Sequence, residues 1–179
     1  MQPINEFRSL AAAENEQTFV ARYPHPFLLF NLTPADQTAR SFKTSFTRDM
    51  PARPGIGTIR VTPTMLAKPE LRATMLEKSA RNPYTDRIFV GRTPANDIIV
   101  PHHSVSKSHA FFECLPGNQW HLTDHGSRNG TVVRGEPVPP NQRVSVAGET
   151  TIVFGYYPVV FIESAALYSL LRPLVKPAE

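Results

Sequence analysis

The sequence predicts an all-β fold: a β-sandwich carrying a short C-terminal helix and a mixed N-terminal extension. Three observations predict it. From about residue 72, short β-like runs alternate with turn residues at intervals of about 8–12 positions, the pattern of a sandwich or barrel. Several of these runs alternate apolar and polar residues: Trp120 and Leu122 against His121 and Thr123, Val144 and Val146 against Arg143 and Ser145. Proline is abundant, 18 of 179 residues, about twice the average usage. Because proline interrupts helices and strands alike, that abundance favours short strands joined by loops over a helical bundle.

The elements follow in chain order. Ile4, Phe7, Leu10 and Ala11 have helical spacing, with Phe19 and Val20 as an extension of that face. Tyr23-Pro24-His25-Pro26 stops it, since each proline denies the preceding residue helical angles. Phe27-Leu28-Leu29-Phe30 is a short apolar run, a strand or a docking segment. Residues 33–57, rich in Thr, Ser, Arg, Pro and Gly, read as a long loop or linker containing Phe42 and Phe46. Ile59-Arg60-Val61 is a candidate strand, and Pro69-Glu70-Leu71 opens either a helical turn or the first strand of the sandwich. The sandwich strands are expected at Met75–Ser79, Arg87–Val90, Ile98–Val100, Ala110–Leu115, Trp120–Thr123, Thr131–Val133, Arg143–Val146, Thr151–Phe154 and Val159–Ile162. Ala166, Leu167, Leu170 and Leu171 then recur at helical spacing until Pro173. The expected division is an extension over 1–71, a sandwich domain over 72–165, and a C-terminal helix and tail over 166–179.

Composition narrows the function classes. Hydrophobic residues make up 41% and charged residues 19%, enough apolar material for a core and too little charge for wholesale disorder. The net charge of +4 is compatible with anionic partners but too weak to indicate nucleic acid. A single cysteine, Cys114, rules out an intrachain disulfide and suits a reducing, cytoplasmic setting. No apolar run approaches the ~18 residues of a membrane span, and Met1 to Glu6 lack the character of a secretory signal.

Three strings remain that composition does not explain: Gly91-Arg92, Val105-Ser106-Lys107-Ser108-His109-Ala110, and Ser127-Arg128-Asn129-Gly130-Thr131. All lie at expected strand ends. Together they supply a guanidinium, a hydroxyl, an ammonium and a side-chain amide. A phosphorylated threonine offers about −2 charge and three acceptor oxygens, which that donor set suits. Gly91 frees the backbone so that the planar fork of Arg92 projects from the strand end. Ser106 and Lys107 add a small donor and a point charge, and Asn129, with Ser127 and Arg128, comes from a turn able to reach a peptide backbone. His109, one residue before a strand, reads as a hydrogen-bonder that locks its loop.

With Asn96-Asp97-Ile98, Trp120, Asp124, Gly135, Gly148 and Phe154-Gly155, these strings resemble a forkhead-associated (FHA) domain over about residues 72–165. The resemblance implies a sandwich of about eleven strands whose loops at one end bind phosphothreonine peptides. It implies that Arg92 and Ser106 contact the phosphate, that Lys107 adds charge, and that Asn129 holds the peptide main chain. It further implies that Ser127 and Arg128 select the residue three positions after the phosphothreonine, with Gly91, His109, Gly130 and Thr131 architectural. The implied function is a non-enzymatic adaptor in Ser/Thr-kinase signalling, whose partner is a phosphothreonine-containing protein such as a kinase or its substrate.

Rival readings stand beside this one. A phospho-independent scaffold or oligomerisation module would use a sheet face or the N-terminal extension. His102, His103, His109, His121, His125 and Cys114 fit no common zinc spacing, so no metal and no cofactor are expected. Cys114 is expected to alternate into the core with Phe112. Asp124-His125-Gly126-Ser127 holds the residue types of a hydrolytic triad without the surrounding nucleophile-elbow pattern, so no catalytic residue is assigned. Nucleic acid is disfavoured by the lack of an aromatic-interleaved basic stripe, and no membrane partner is expected. The extension over 1–71 is expected to pack Phe27, Phe30 and Phe42 against the sandwich; the alternative is an intramolecular ligand, because Thr18, Thr33, Thr44, Thr47 and Thr62 offer phosphorylation sites there.

Overall fold

A computed structural model describes residues 1–32 and 58–174. Its two sheets face one another, and helices cover the back of the larger. That sheet has the strand order β1 (Gln2–Pro3), β3 (Arg72–Met75), β2 (Phe27–Phe30), β12 (Tyr157–Ile162), β11 (Thr150–Phe154), β8 (Thr131–Val133) and β9 (Glu136–Val138). The smaller sheet is ordered β10 (Arg143–Val146), β7 (Gln119–Asp124), β6 (Ala110–Leu115), β4 (Ile88–Gly91) and β5 (Ile98–Ile99). All neighbours are antiparallel except β4 and β5, which pair in parallel with Val90 opposite Ile98. The helices are α1 (Ile4–Ala13), α2 (Glu16–Arg22), α3 (Pro63–Leu66) and α4 (Ser164–Leu171). The fold is therefore the expected β-sandwich with its short C-terminal helix.

Side-chain alternation builds two cores from one sheet. Phe112, Trp120 and Leu122 of the smaller sheet meet Leu28, Phe30, Phe154 and Phe161 of the larger between the sheets. On the other face of the larger sheet, Phe27, Leu29, Val160 and Ile162 meet Ile4, Phe7, Phe19, Leu167 and Leu171 of the helices. This explains why Phe27-Leu28-Leu29-Phe30 has no polar position: the strand is fully buried on both faces. It lies between β3 and β12, with Leu28 opposite both Thr74 and Phe161.

Local chemistry accounts for several differences from the expected elements. The N-terminal helical run is two helices, because Asn15 caps the second: its side chain accepts from Thr18 N–H at 2.9 Å. Ile59 and Val61 are buried but form no strand, since their N–H groups donate to side chains, Thr151 Oγ1 at 2.8 Å and Glu149 Oε1 at 2.7 Å. The strand expected at Met75–Ser79 is Arg72–Met75. Lys78 and Ser79 are drawn out of any ladder by the Asp97 carboxylate, which accepts from Lys78 Nζ, Ser79 N–H and Ser79 Oγ at 2.7–2.8 Å. Strand β9 was not anticipated, since in Glu136-Pro137-Val138 only Val138 is buried. Cys114 shares the inward side of β6 with Phe112 but lies beside the β6–β7 hairpin turn, past the core, and is exposed. C-terminal helix α4 starts at Ser164, and Pro173 falls in the single 3-10 turn after it. The linker reading for 33–57, with Phe42, Phe46, Thr33, Thr44 and Thr47, lies outside the described residues. Among those described, no helix is long and apolar enough to cross a membrane.

Two predictions follow from this packing. Phe27, with no exposed surface, lies edge-on to Phe7 at a ring separation of 5.1 Å. Phe27→Ala is expected to lower stability by about 3–5 kcal/mol, read as a reduced urea midpoint. The second concerns acid. Burial alone would raise the Asp97 pKa, but hydrogen bonds from Lys78, Ser79 and the Phe89 main chain outweigh it and hold the carboxyl at about 2. A folded pKa below the unfolded value stabilises the protein at neutral pH and loses that contribution as pH falls from about 4 to about 2. The expected loss is about 2 kcal/mol, and pH-dependent denaturation of Asp97→Asn should lack it.

Candidate functional site

Three loops of the sandwich meet at one end: residues 92–97 after β4, 100–109 after β5, and 125–130 after β7. The approach of the first two depends on an absent side chain. A Cβ on Gly91 would stand 2.4 Å from the Lys107 carbonyl oxygen and 2.7 Å from Asn96 Nδ2. That space belongs to the buried Asn96 amide, which donates to Thr93 O at 2.8 Å and Lys107 O at 2.7 Å. Thr93 Oγ1 also donates to Lys107 O, at 2.9 Å. The main chain of Lys107 is thus fixed from below while its side chain is exposed.

Arg92 is held twice to the second loop: its N–H donates to Ser106 O at 2.9 Å and its Nε to Val105 O at 3.1 Å. Ser106 is the junction with the third loop, because its Oγ accepts from Arg128 N–H at 2.9 Å. With that oxygen serving as acceptor, the hydroxyl proton remains to be donated. Fully buried His109 joins the same loops from inside. Its Nδ1 accepts from Ser106 N–H at 3.0 Å, which fixes the proton on Nε2, 3.2 Å from Gly130 O.

The third loop is built on Asp124, which is 1% exposed. Its carboxylate accepts from Ser127 N–H at 2.8 Å, Ser127 Oγ at 2.7 Å and Thr131 Oγ1 at 2.6 Å. These three bonds satisfy a buried charge that would otherwise be costly. Gly130 follows at φ +68°, a left-handed conformation that glycine adopts without strain. Asn129 Nδ2 donates to Ser104 O at 2.8 Å. Ser104 Oγ in turn lies 2.8 Å from His102 Nδ1 and accepts from Tyr156 N–H at 3.0 Å. Burial, then the neighbouring His103, lowers the His102 pKa, which disfavours the charged ring.

The structure thus brings Arg92, Ser106, Lys107, Arg128 and Asn129 to one end, with Gly91, His109, Ser127, Gly130 and Thr131 within or beneath the loops. Thr93, Asn96, Ser104 and Asp124 belong to the same assembly, although sequence reasoning assigned them no part in the site. The readable signal was the turn pattern of Asp124 with Ser127 three residues on, in which an aspartate side chain accepts from its own loop. Electrostatically the end is cationic. Arg92, Lys107 and Arg128 are exposed, and none takes part in the ion pairs found among the described residues. Among those residues no three His, Cys, Asp or Glu side chains gather as a metal ion would need.

The FHA domain family model matches residues 88–155, which run from β4 to the end of β11 and contain all three loops. The chain is 28% identical over 134 residues to the glycogen accumulation regulator GarA of Mycolicibacterium smegmatis, covering 70% of this chain and 81% of that one. It is similar to the crystal structure of the FHA domain of the CT664 protein from Chlamydia trachomatis, at 18% identity and a TM-score of 0.48 over 77% of this chain and 97% of that one. The N-terminal FHA domain of S. cerevisiae Rad53p, solved with a phosphothreonine peptide, is 18% identical with a TM-score of 0.43, covering 56% of this chain and 90% of that one. The family match runs through all three loops, so residues 88–155 of this chain match the FHA domain.

Proposed function

We propose that this chain is a phosphothreonine-peptide binding module acting as an adaptor in Ser/Thr-kinase signalling. One observation carries the reading: three exposed cationic side chains, Arg92, Lys107 and Arg128, stand on mutually hydrogen-bonded loops with no acidic partner among the described residues. A doubly charged phosphate supplies the missing counter-charge. Arg92, steadied at Nε, presents the rest of its guanidinium as a fork, and Ser106 donates its hydroxyl proton to a phosphate oxygen. Lys107 adds charge from a fixed main chain. Asn129, its amide oriented by Ser104, meets the peptide backbone, and Ser127 and Arg128 border the residues that follow the phosphothreonine.

The binding unit in this reading is residues 72–165, with 1–71 and 166–179 as its support. The module acts without catalysis. The Asp124 carboxylate is engaged by Ser127 and Thr131, so it is not placed to orient a base for a serine nucleophile. A cytoplasmic location suits a ligand made by a kinase.

Charge-assisted hydrogen bonds contribute about 1.5–3 kcal/mol each. Arg92→Ala and Ser106→Ala are each expected to weaken binding of a phosphothreonine peptide about tenfold to a hundredfold, measured by titration calorimetry. Equal affinity for phosphorylated and unphosphorylated forms of a selected peptide would overturn the reading and favour the phospho-independent scaffold. Gly91→Ala should weaken binding without removing a charge, because the Lys107 loop must move. A stability loss of about 1–3 kcal/mol should accompany it in denaturant titration.

A further inference from the structure

The Asn129 amide, which meets the peptide in the reading above, is held through a histidine that the phosphate chemistry does not use. Asn129 Nδ2 donates to Ser104 O at 2.8 Å. Ser104 is 2% exposed and closely packed: a Cβ on Gly155 would stand 2.4 Å from its carbonyl oxygen and 2.9 Å from its Oγ. Its Oγ accepts from Tyr156 N–H at 3.0 Å, which directs the hydroxyl proton to His102 Nδ1 at 2.8 Å. Ser104 N–H donates to the same nitrogen from 3.3 Å. His102 Nδ1 is therefore a double acceptor, and this arrangement requires a neutral ring with its proton on Nε2.

We propose that His102 is a positioning residue: its neutral ring sets Ser104, and through Ser104 the amide with which Asn129 holds the peptide. The inference rests on the phosphothreonine reading above and adds a pH dependence to it. A proton on Nδ1 would confront the Ser104 N–H and hydroxyl, so that donors meet a donor. Both Ser104 oxygens pack against Gly155, so a turn of the Ser104 main chain away from the charged ring also moves the carbonyl bonded to Asn129. The titratable groups that face the ring are His103, 4.3 Å away between ring centroids, and Tyr157 at the start of β12, 5.4 Å away. Burial raises the Tyr157 pKa above its ordinary value, so that hydroxyl stays neutral. No carboxylate pairs with His102 among the described residues. Burial and His103 both favour the neutral ring, which is lost only as pH falls through a value below the ordinary one. The ring is half-buried, so it remains within reach of solvent protons.

The test compares the full chain with its His102→Ala and His102→Asn variants, using a phosphothreonine peptide that the unaltered chain selects from a library. The side-chain oxygen introduced by His102→Asn is an acceptor at the same number of bonds from the main chain as Nδ1, and it does not titrate. At about pH 7.5, His102→Ala is expected to bind about threefold to tenfold more weakly than the unaltered chain by titration calorimetry, and His102→Asn to rescue most of that loss. At about pH 5 the unaltered chain should fall about threefold to tenfold below His102→Asn, a gap absent at neutral pH. The second ionisation of the phosphate, near pH ~6, and His109 are common to all three proteins, so the ratio of affinities isolates His102. Ring nitrogen chemical shifts of the free protein should place the His102 proton on Nε2 at about pH 7.5. The proposal fails if that proton is on Nδ1, or if His102→Ala binds as tightly as the unaltered chain at neutral pH. Phosphate dependence with a constant ratio between the unaltered chain and His102→Asn across the range overturns the role of His102 alone. Equal affinity for phosphorylated and unphosphorylated peptide at neutral pH would sink the phosphothreonine reading and this inference together.

Discussion

A sheet with both faces in the interior has to be covered twice, and the seven-stranded sheet of this protein is in that position. Along β12, Val159 and Phe161 turn to the sandwich while Val160 and Ile162 turn to the helices. Neither face can be left open without exposing a row of large apolar side chains, at about 25 cal/mol per Å². The helical layer is therefore part of the sheet's stability. The two ends of the chain meet in it, with the Tyr168 hydroxyl donating to Glu14 O at 3.1 Å and Arg172 Nη1 to Ala11 O at 3.3 Å. The larger sheet is tied to the loop end through the turn between β11 and β12. Gly155 N–H donates to Gly130 O at 2.9 Å, and Tyr156 N–H to Ser104 Oγ.

At that end, polar side chains divide by depth. Asn96, His109 and Asp124 are buried, and each hydrogen-bonds loop groups that would otherwise be left unpaired. Arg92, Lys107 and Arg128 are exposed, with Arg92 tied to Val105 O through Nε. Ser106 belongs to both levels, since its N–H bonds the buried His109 and its hydroxyl meets the outer loop. The buried network fixes the loops that carry these exposed side chains.

Much of this could be read from residues alone, for physical reasons that differ by region. The strands Ala110–Leu115, Thr131–Val133 and Arg143–Val146 have the bounds expected from alternation and turn residues. The candidate site residues could be read as types at strand ends, since Gly-Arg, Ser-Lys and Asn-Gly each have local conformational or donor logic, and the fold gathers them at one end of the sandwich. What was not legible depends on distant partners. Nothing near Ile59 indicates that Thr151 will take its N–H, and nothing near Lys78 indicates that Asp97 will pull it from a ladder. Cys114 has the right parity for the core but lies past its edge, and periodicity reports direction without reporting where the covering layer ends.

The place of β2 also shapes how the chain comes into being. Asn31 at the end of β2 and Tyr157 at the start of β12 are 126 positions apart, yet they share a hydrogen bond of 2.9 Å. At synthesis rates of about 5–20 residues per second, β2 leaves the ribosome on the order of ten seconds before β12 exists. In that interval β3 can pair with one edge of Phe27-Leu28-Leu29-Phe30 while the other stays open. The nascent chain therefore carries an uncapped apolar strand until β12 has been made. The larger sheet cannot close before that point.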